Sequence, residues 1–140
     1  MAICTVIFLS ALLLRGIFAI GFLDLDRPPS GDEGAYHARA VQISTGQFLG
    51  SSDRPPLLGA IIAPFYLVTE ESYIVGRLVN VVISSLGVPL IYLVVRLFFS
   101  GKAIPILASM AWAFYPPSIW YSGWLLTETL SSVLVIGSAL

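Results

Sequence analysis

Eighteen consecutive residues, Leu78 to Val95, carry no charge and are bracketed by Arg77 and Arg96. As a helix such a run rises roughly 27 Å, and with its flanks it reaches the thickness of a hydrocarbon core, about 30 Å. It is one of several. Ala2 to Leu23 is interrupted by a single charge at Arg15, Ala103 to Thr127 has none, and a last apolar stretch runs from Thr129 to Leu140. Asp, Glu, Lys and Arg make up only 11% of the 140 residues, and eight of them fall between Asp24 and Arg54. A soluble domain carries about a quarter charged residues. With a mean hydropathy of +0.91, this chain reads as a multi-pass membrane protein with one sizeable polar loop. A net charge of −1 gives no nucleic-acid footprint, and the lone Cys4 excludes an intramolecular disulfide or a cysteine-based metal site.

The spacing predicts an all-α chain of about four transmembrane helices: spans 2–23, 75–98, 103–122 and 126–140, the last incomplete. The rival for the first span is a cleaved signal peptide. It is disfavoured because the basic start is missing and Arg15 falls where the apolar centre should be. Within a bilayer Arg15 must snorkel to an interface or pair with an acid on a neighbouring helix. Leu57 to Val68 is too short to cross and reads as an interfacial or re-entrant helix, begun after Pro55-Pro56 and stopped by Glu70-Glu71. Pro116-Pro117 should kink or end the third span, near an aromatic girdle of Trp112, Tyr115, Trp120, Tyr121 and Trp124. The chain reads as stopping inside its fourth helix, as a fragment or truncated product would. Arg96 to Lys102 holds two cations and no acid, while the long loop has three arginines among five acids; by raw count the orientation is ambiguous, and by density Arg96 to Lys102 reads as cytoplasmic. The outer loop 24–74, with short helices over 31–45 and 57–68, then shares the extracytoplasmic face with Glu128.

The acids of that loop have two readings. Ser30 three residues before Glu33 has the form of a capping box, starting a helix that Gly46 would stop. Asp32, Tyr36, Arg39 and Ile43 share one face of it, with Glu33 and His37 on the next. Acids in a first turn are ordinary helix-start chemistry. The same turn offers amide donors and a positive dipole end that suit a functional carboxylate or an incoming anion. Glu33 with His37 supplies only two of the groups a metal needs, and Arg54 can simply anchor a helix at the headgroups.

The ordered set Gly31-Asp-Glu-Gly-Ala-Tyr36-His-Ala-Arg39-Ala, Gly46, Asp53-Arg-Pro-Pro-Leu-Leu58, Gly76-Arg77-Leu-Val-Asn80, Arg96-Leu-Phe-Phe, Pro116 and Thr127-Glu128 resembles a known family. It is similar to the start of the GT-C membrane glycosyltransferases of the dolichyl-phosphate-mannose protein mannosyltransferase and aminoarabinose transferase type. Members are much longer, and many carry Lys where this chain has Arg54. The resemblance implies a cell-membrane enzyme with an extracytoplasmic site. It would transfer a sugar, with inversion, from a polyprenyl-phosphate carrier to a protein, lipid or glycan acceptor.

The catalytic base maps onto Asp32 with Glu33 beside it; substrate binding maps onto Arg54, Tyr36 and Glu128. An inverting transfer needs a carboxylate to take the acceptor proton, and a guanidinium suits the leaving phosphate. Glu128 would orient the acceptor or assist a metal. A divalent cation occurs in some relatives, and the sequence shows no complete ligand set for one. Two other classes compete. One is a piece of a multi-pass transporter, with Arg15, Glu128 and the prolines along its path; the other is a membrane assembly protein without chemistry.

Overall fold

The computed structural model describes residues 2–47 and 54–140, so Asp53 lies outside the described residues. Among these the chain is all-helical, with seven helices: α1 (Ala2–Phe22), α2 (Gly31–Ser44), α3 (Pro56–Thr69), α4 (Tyr73–Phe98), α5 (Ala103–Ala113), α6 (Pro116–Ser122) and α7 (Thr127–Gly137). α4 is the hub, touching α1, α3, α5, α6 and α7, while α2 and α3 pair beside it. Its buried face carries small residues, Gly76, Ser84, Ser85 and Gly87. A Cβ on Gly76 would lie 2.7 Å from the Tyr66 hydroxyl, and one on Gly87 would lie 3.1 Å from Trp112 Nε1. Close packing of the neighbours on α4 depends on those missing side chains.

Two helices, α1 and α4, are long and apolar enough to cross a membrane. The expectation of about four spans is not supported. The stretch 103–122 is divided into α5, of 11 residues, and α6, of 7. The physical reason is local: a residue before proline is pushed out of the helical region, and Tyr115 before Pro116 is extended at φ −67°, ψ 111°. The final stretch forms an 11-residue helix, α7. Eleven residues rise only about 16 Å.

The short helices fall where the punctuation puts them. α2 ends at Ser44 with Thr45 as its C-cap, and Gly46 follows at φ 81°, the left-handed conformation that glycine adopts without a Cβ penalty. α3 begins at Pro56 and ends at Thr69, capped by Glu70, which is left-handed at φ 52°. The capping box does not form. Ser30 makes no side-chain cap, and the Glu33 carboxylate is turned instead into the interior.

Beside an apolar core that includes Leu58, Ile62, Tyr66 and Leu125, several polar residues are buried and apolar stripes lie outside. Arg15, Glu33, Arg77, Asn80 and Ser84 are buried. Val6, Leu9, Leu13, Ile17 and Ile20 on α1, with Leu78, Val82, Leu86, Leu93 and Leu97 on α4, form two exposed stripes at helical spacing.

Candidate functional site

The site is built around Glu33, whose carboxylate is the anchor of the loop. Arg77 of α4 holds it with two parallel bonds, Nε to Oε1 at 2.9 Å and Nη2 to Oε2 at 3.0 Å. Arg27 adds an ion pair at 3.0 Å, and the Leu125 backbone N–H donates to Oε1 at 3.0 Å. Arg77 also donates through Nη1 to the carbonyls of Leu25 and Arg27. The Arg77 guanidinium therefore ties the chain before α2 and the start of α2 to α4, and the Glu33 carboxylate it holds receives the chain before α7 through the Leu125 N–H. Around this pair Arg27 lies over the Trp124 ring at 3.9 Å, and the Asn80 amide donates to the Trp124 carbonyl.

Burial pushes the Glu33 carboxyl up. The bonds from Arg77 and the Leu125 N–H, with the charges of Arg77 and Arg27, outweigh it and hold the group below the ordinary glutamate value.

Asp32 is its neighbour in sequence and its opposite in setting. The Asp32 side chain is 61% exposed against 2% for Glu33, and it is paired with Arg54. The Arg54 guanidinium also lies 5.6 Å from the centre of the Tyr36 ring, and the Tyr36 hydroxyl bonds Thr127 Oγ1 at 2.9 Å. Asp32, Arg54, Tyr36 and Thr127 thus form one chain of contacts from α2 to the start of α7. Glu128, next to Thr127, is exposed and lines a separate cleft with Trp112, Ser118 and Tyr121. Of the five residues expected at the site, Asp32, Arg54 and Tyr36 are in contact; Glu33 faces inward from them and Glu128 lies one residue beyond.

His37 is half-buried, with Nδ1 2.8 Å from the Tyr66 hydroxyl. Burial lowers its pKa, and the charge of Arg77 adds to this against the acids Glu71 and Glu33; burial likewise raises the Tyr66 phenol. Among the described residues no three His, Cys, Asp or Glu side chains gather as a metal site.

Arg15 does neither thing expected of it. It is fully buried and donates to Ser84 Oγ at 2.9 Å, Ser118 Oγ at 3.0 Å and the Trp112 carbonyl at 3.4 Å. Neutral acceptors from three helices and corners stand in for the acid.

Sequence reasoning set Arg77 at the edge of a span and, with Asn80, in the motif that carries the family resemblance, but gave neither of them, nor Arg27, a part in the site. A signal existed: Arg77, Asn80 and Ser84 recur at three and four residues along α4, a polar stripe on a helix otherwise fit for lipid. No family model, no curated protein and no solved structure matches the chain.

Proposed function

We propose that the chain is part of a membrane glycosyltransferase that takes a sugar from a polyprenyl-phosphate carrier, with α1 and α4 across the bilayer and Asp32 as the general base. The observation that carries this reading is the division of labour between two adjacent acids. Glu33 is spent on Arg77, Arg27 and an amide, and so fixes the first turn of α2. Asp32 is thereby presented outward beside Arg54 and Tyr36.

In the reaction the acceptor hydroxyl gives its proton to the Asp32 carboxylate as its oxygen bonds the anomeric carbon. The bond from that carbon to the carrier phosphate breaks on the opposite face, and the electron pair leaves with the phosphate. A guanidinium carries five N–H donors, enough to hold a carboxylate and receive a phosphate oxygen together. Arg54 takes that second task. Glu33 becomes a positioning residue, which narrows the catalytic pair to one base.

The membrane placement draws support from the outward apolar stripes on α1 and α4. Asp32→Asn is expected to abolish transfer from a polyprenyl-phosphate sugar in vesicles while membrane insertion stays unchanged. Transfer at the unaltered rate would remove Asp32 from the role of base.

A further inference from the structure

Between α4, the corner joining α5 to α6, and α7 lies a cleft of about 110 Å³ whose lining includes Ser84, Trp112, Ser118, Tyr121, Glu128 and Thr129. Directly behind it sits Arg15, fully buried, bonded to Ser84, Ser118 and Trp112, three residues of that lining. Its Nη1 has no hydrogen-bond partner, and no ion pair joins Arg15 to an acid among the described residues. The cleft therefore has a cationic floor, reached through serine hydroxyls, and a carboxylate at Glu128.

Charge selects the ligand class. An anion entering toward the serines meets the carboxylate of Glu128. A cation drawn to Glu128 meets a buried guanidinium that no acid among the described residues pairs with. A neutral group carrying both donors and acceptors satisfies both ends. A serine oxygen that accepts from a guanidinium has a more polarised O–H, and so donates better; Glu128 accepts. Trp112 and Tyr121 add ring surfaces on which a face of C–H groups can rest.

Size narrows the choice further. An enclosed cavity of about 150 Å³ holds a benzene, so this smaller, open cleft admits one edge of a six-membered ring. We propose that it is a subsite for the edge of a neutral sugar ring, with Glu128 accepting from ring hydroxyls and the Ser118 hydroxyl donating to one, while the Ser84 hydroxyl, which donates to the Ser118 carbonyl, holds Arg15 behind the cleft. The proposal rests on the lipid-linked-sugar reading for its biological sense and on the cleft alone for its chemistry.

The test uses the full chain in detergent micelles, labelled with 5-fluorotryptophan, with the Trp112 fluorine resonance assigned from Trp112→Phe. Methyl α-mannopyranoside, methyl β-glucopyranoside, inorganic phosphate and tetramethylammonium are titrated in turn. The glycosides are expected to shift the Trp112 resonance to saturation and the two ions to leave it in place. Glu128→Ala, an exposed position, should weaken glycoside binding about tenfold, the loss of one charge-assisted hydrogen bond. A stronger response to phosphate or tetramethylammonium, or no response to any glycoside in protein that is helical by circular dichroism, overturns the subsite. Glycoside binding combined with transfer that ignores Asp32→Asn would leave the subsite standing and remove the base; the reverse pattern would do the opposite.

Discussion

Glu33 shows how little a residue's chemistry is fixed by its type. Beside Asp32 it has the same carboxylate, yet it is buried against Arg77 and Arg27 while Asp32 faces out. Removing one member of a buried pair strands the other charge, at about 3–5 kcal/mol. Glu33→Ala is therefore expected to lower the thermal unfolding midpoint in detergent far more than Asp32→Ala; equal effects would mean that Arg77 finds another partner.

The pH dependence follows from the same contacts. Glu33 titrates below its ordinary 4.5 in the folded chain, so its contribution is complete above that value and is lost as pH falls through the folded pKa. His37 is also depressed, from 6.5, so the folded chain resists protonating it and stability falls as pH drops below 6.5 toward its folded value. Unfolding midpoints measured from pH 8 to pH 3 should decline in two stages. Replacing His37 by Gln should remove the upper stage alone, and a curve flat from pH 7 to pH 5 would contradict the half-buried neutral imidazole.

At the scale of elements, the helices end where backbone chemistry demands it and pack where side chains are missing. The break between α5 and α6 follows from Tyr115 preceding a proline. The approach of α3 and of the chain before α7 to α4 follows from Gly76, where a Cβ would meet the Tyr66 hydroxyl at 2.7 Å and Leu125 Cδ2 at 2.9 Å. Gly76→Val should destabilise the chain by about 1–3 kcal/mol through overpacking. At Gly16 a Cβ meets nothing within 4 Å, and Gly16→Ala should be neutral or stabilising by up to about 1 kcal/mol from helix propensity. Thermal unfolding of both variants in one detergent decides the matter, and a Gly76→Val midpoint unchanged from the parent would mean that the contact is slack. The two helix starts at Asp32 and Glu128 were both legible in the sequence. That they differ in company was not, because Tyr36 meets Thr127 across 91 positions of chain.

At the scale of the molecule, α1 and α4 turn Arg15, Arg77, Asn80 and Ser84 inward and Leu9, Leu13, Leu78, Leu86, Leu93 and Leu97 outward. Arg15, Glu33, Arg77 and Asn80 are buried together with Ser84, Ser85, Ser109 and Ser122, while the stripes of α1 and α4 stay uncovered. Such a surface is unfavourable in water and suited to lipid, where small and polar residues hold helices together. α4, at 26 residues, rises roughly 39 Å, enough to carry its ends to opposite faces. In a Cys4→Ser background, single cysteines at Glu70 and Gly101 should react with an impermeant maleimide from opposite sides of sealed vesicles. Labelling of both from one side would show that α4 does not cross, and would take the membrane reading with it.

By itself the sequence determined most of the helix limits, the proline break between α5 and α6 among them, since the period of apolar residues, the prolines and Gly46 act within a few residues of where they stand. It also determined that α1 and α4 have the length and composition to span. Only the tertiary structure decided that Arg15 settles on serines, and that of two adjacent acids Glu33 locks the loop while Asp32 faces out. Those outcomes depend on Arg77, Leu125, Ser84 and Ser118, partners between 44 and 103 positions away. A carboxylate or guanidinium is directed by whichever charges and hydroxyls the fold brings within about 3 Å of it, and local spacing holds no record of that distance.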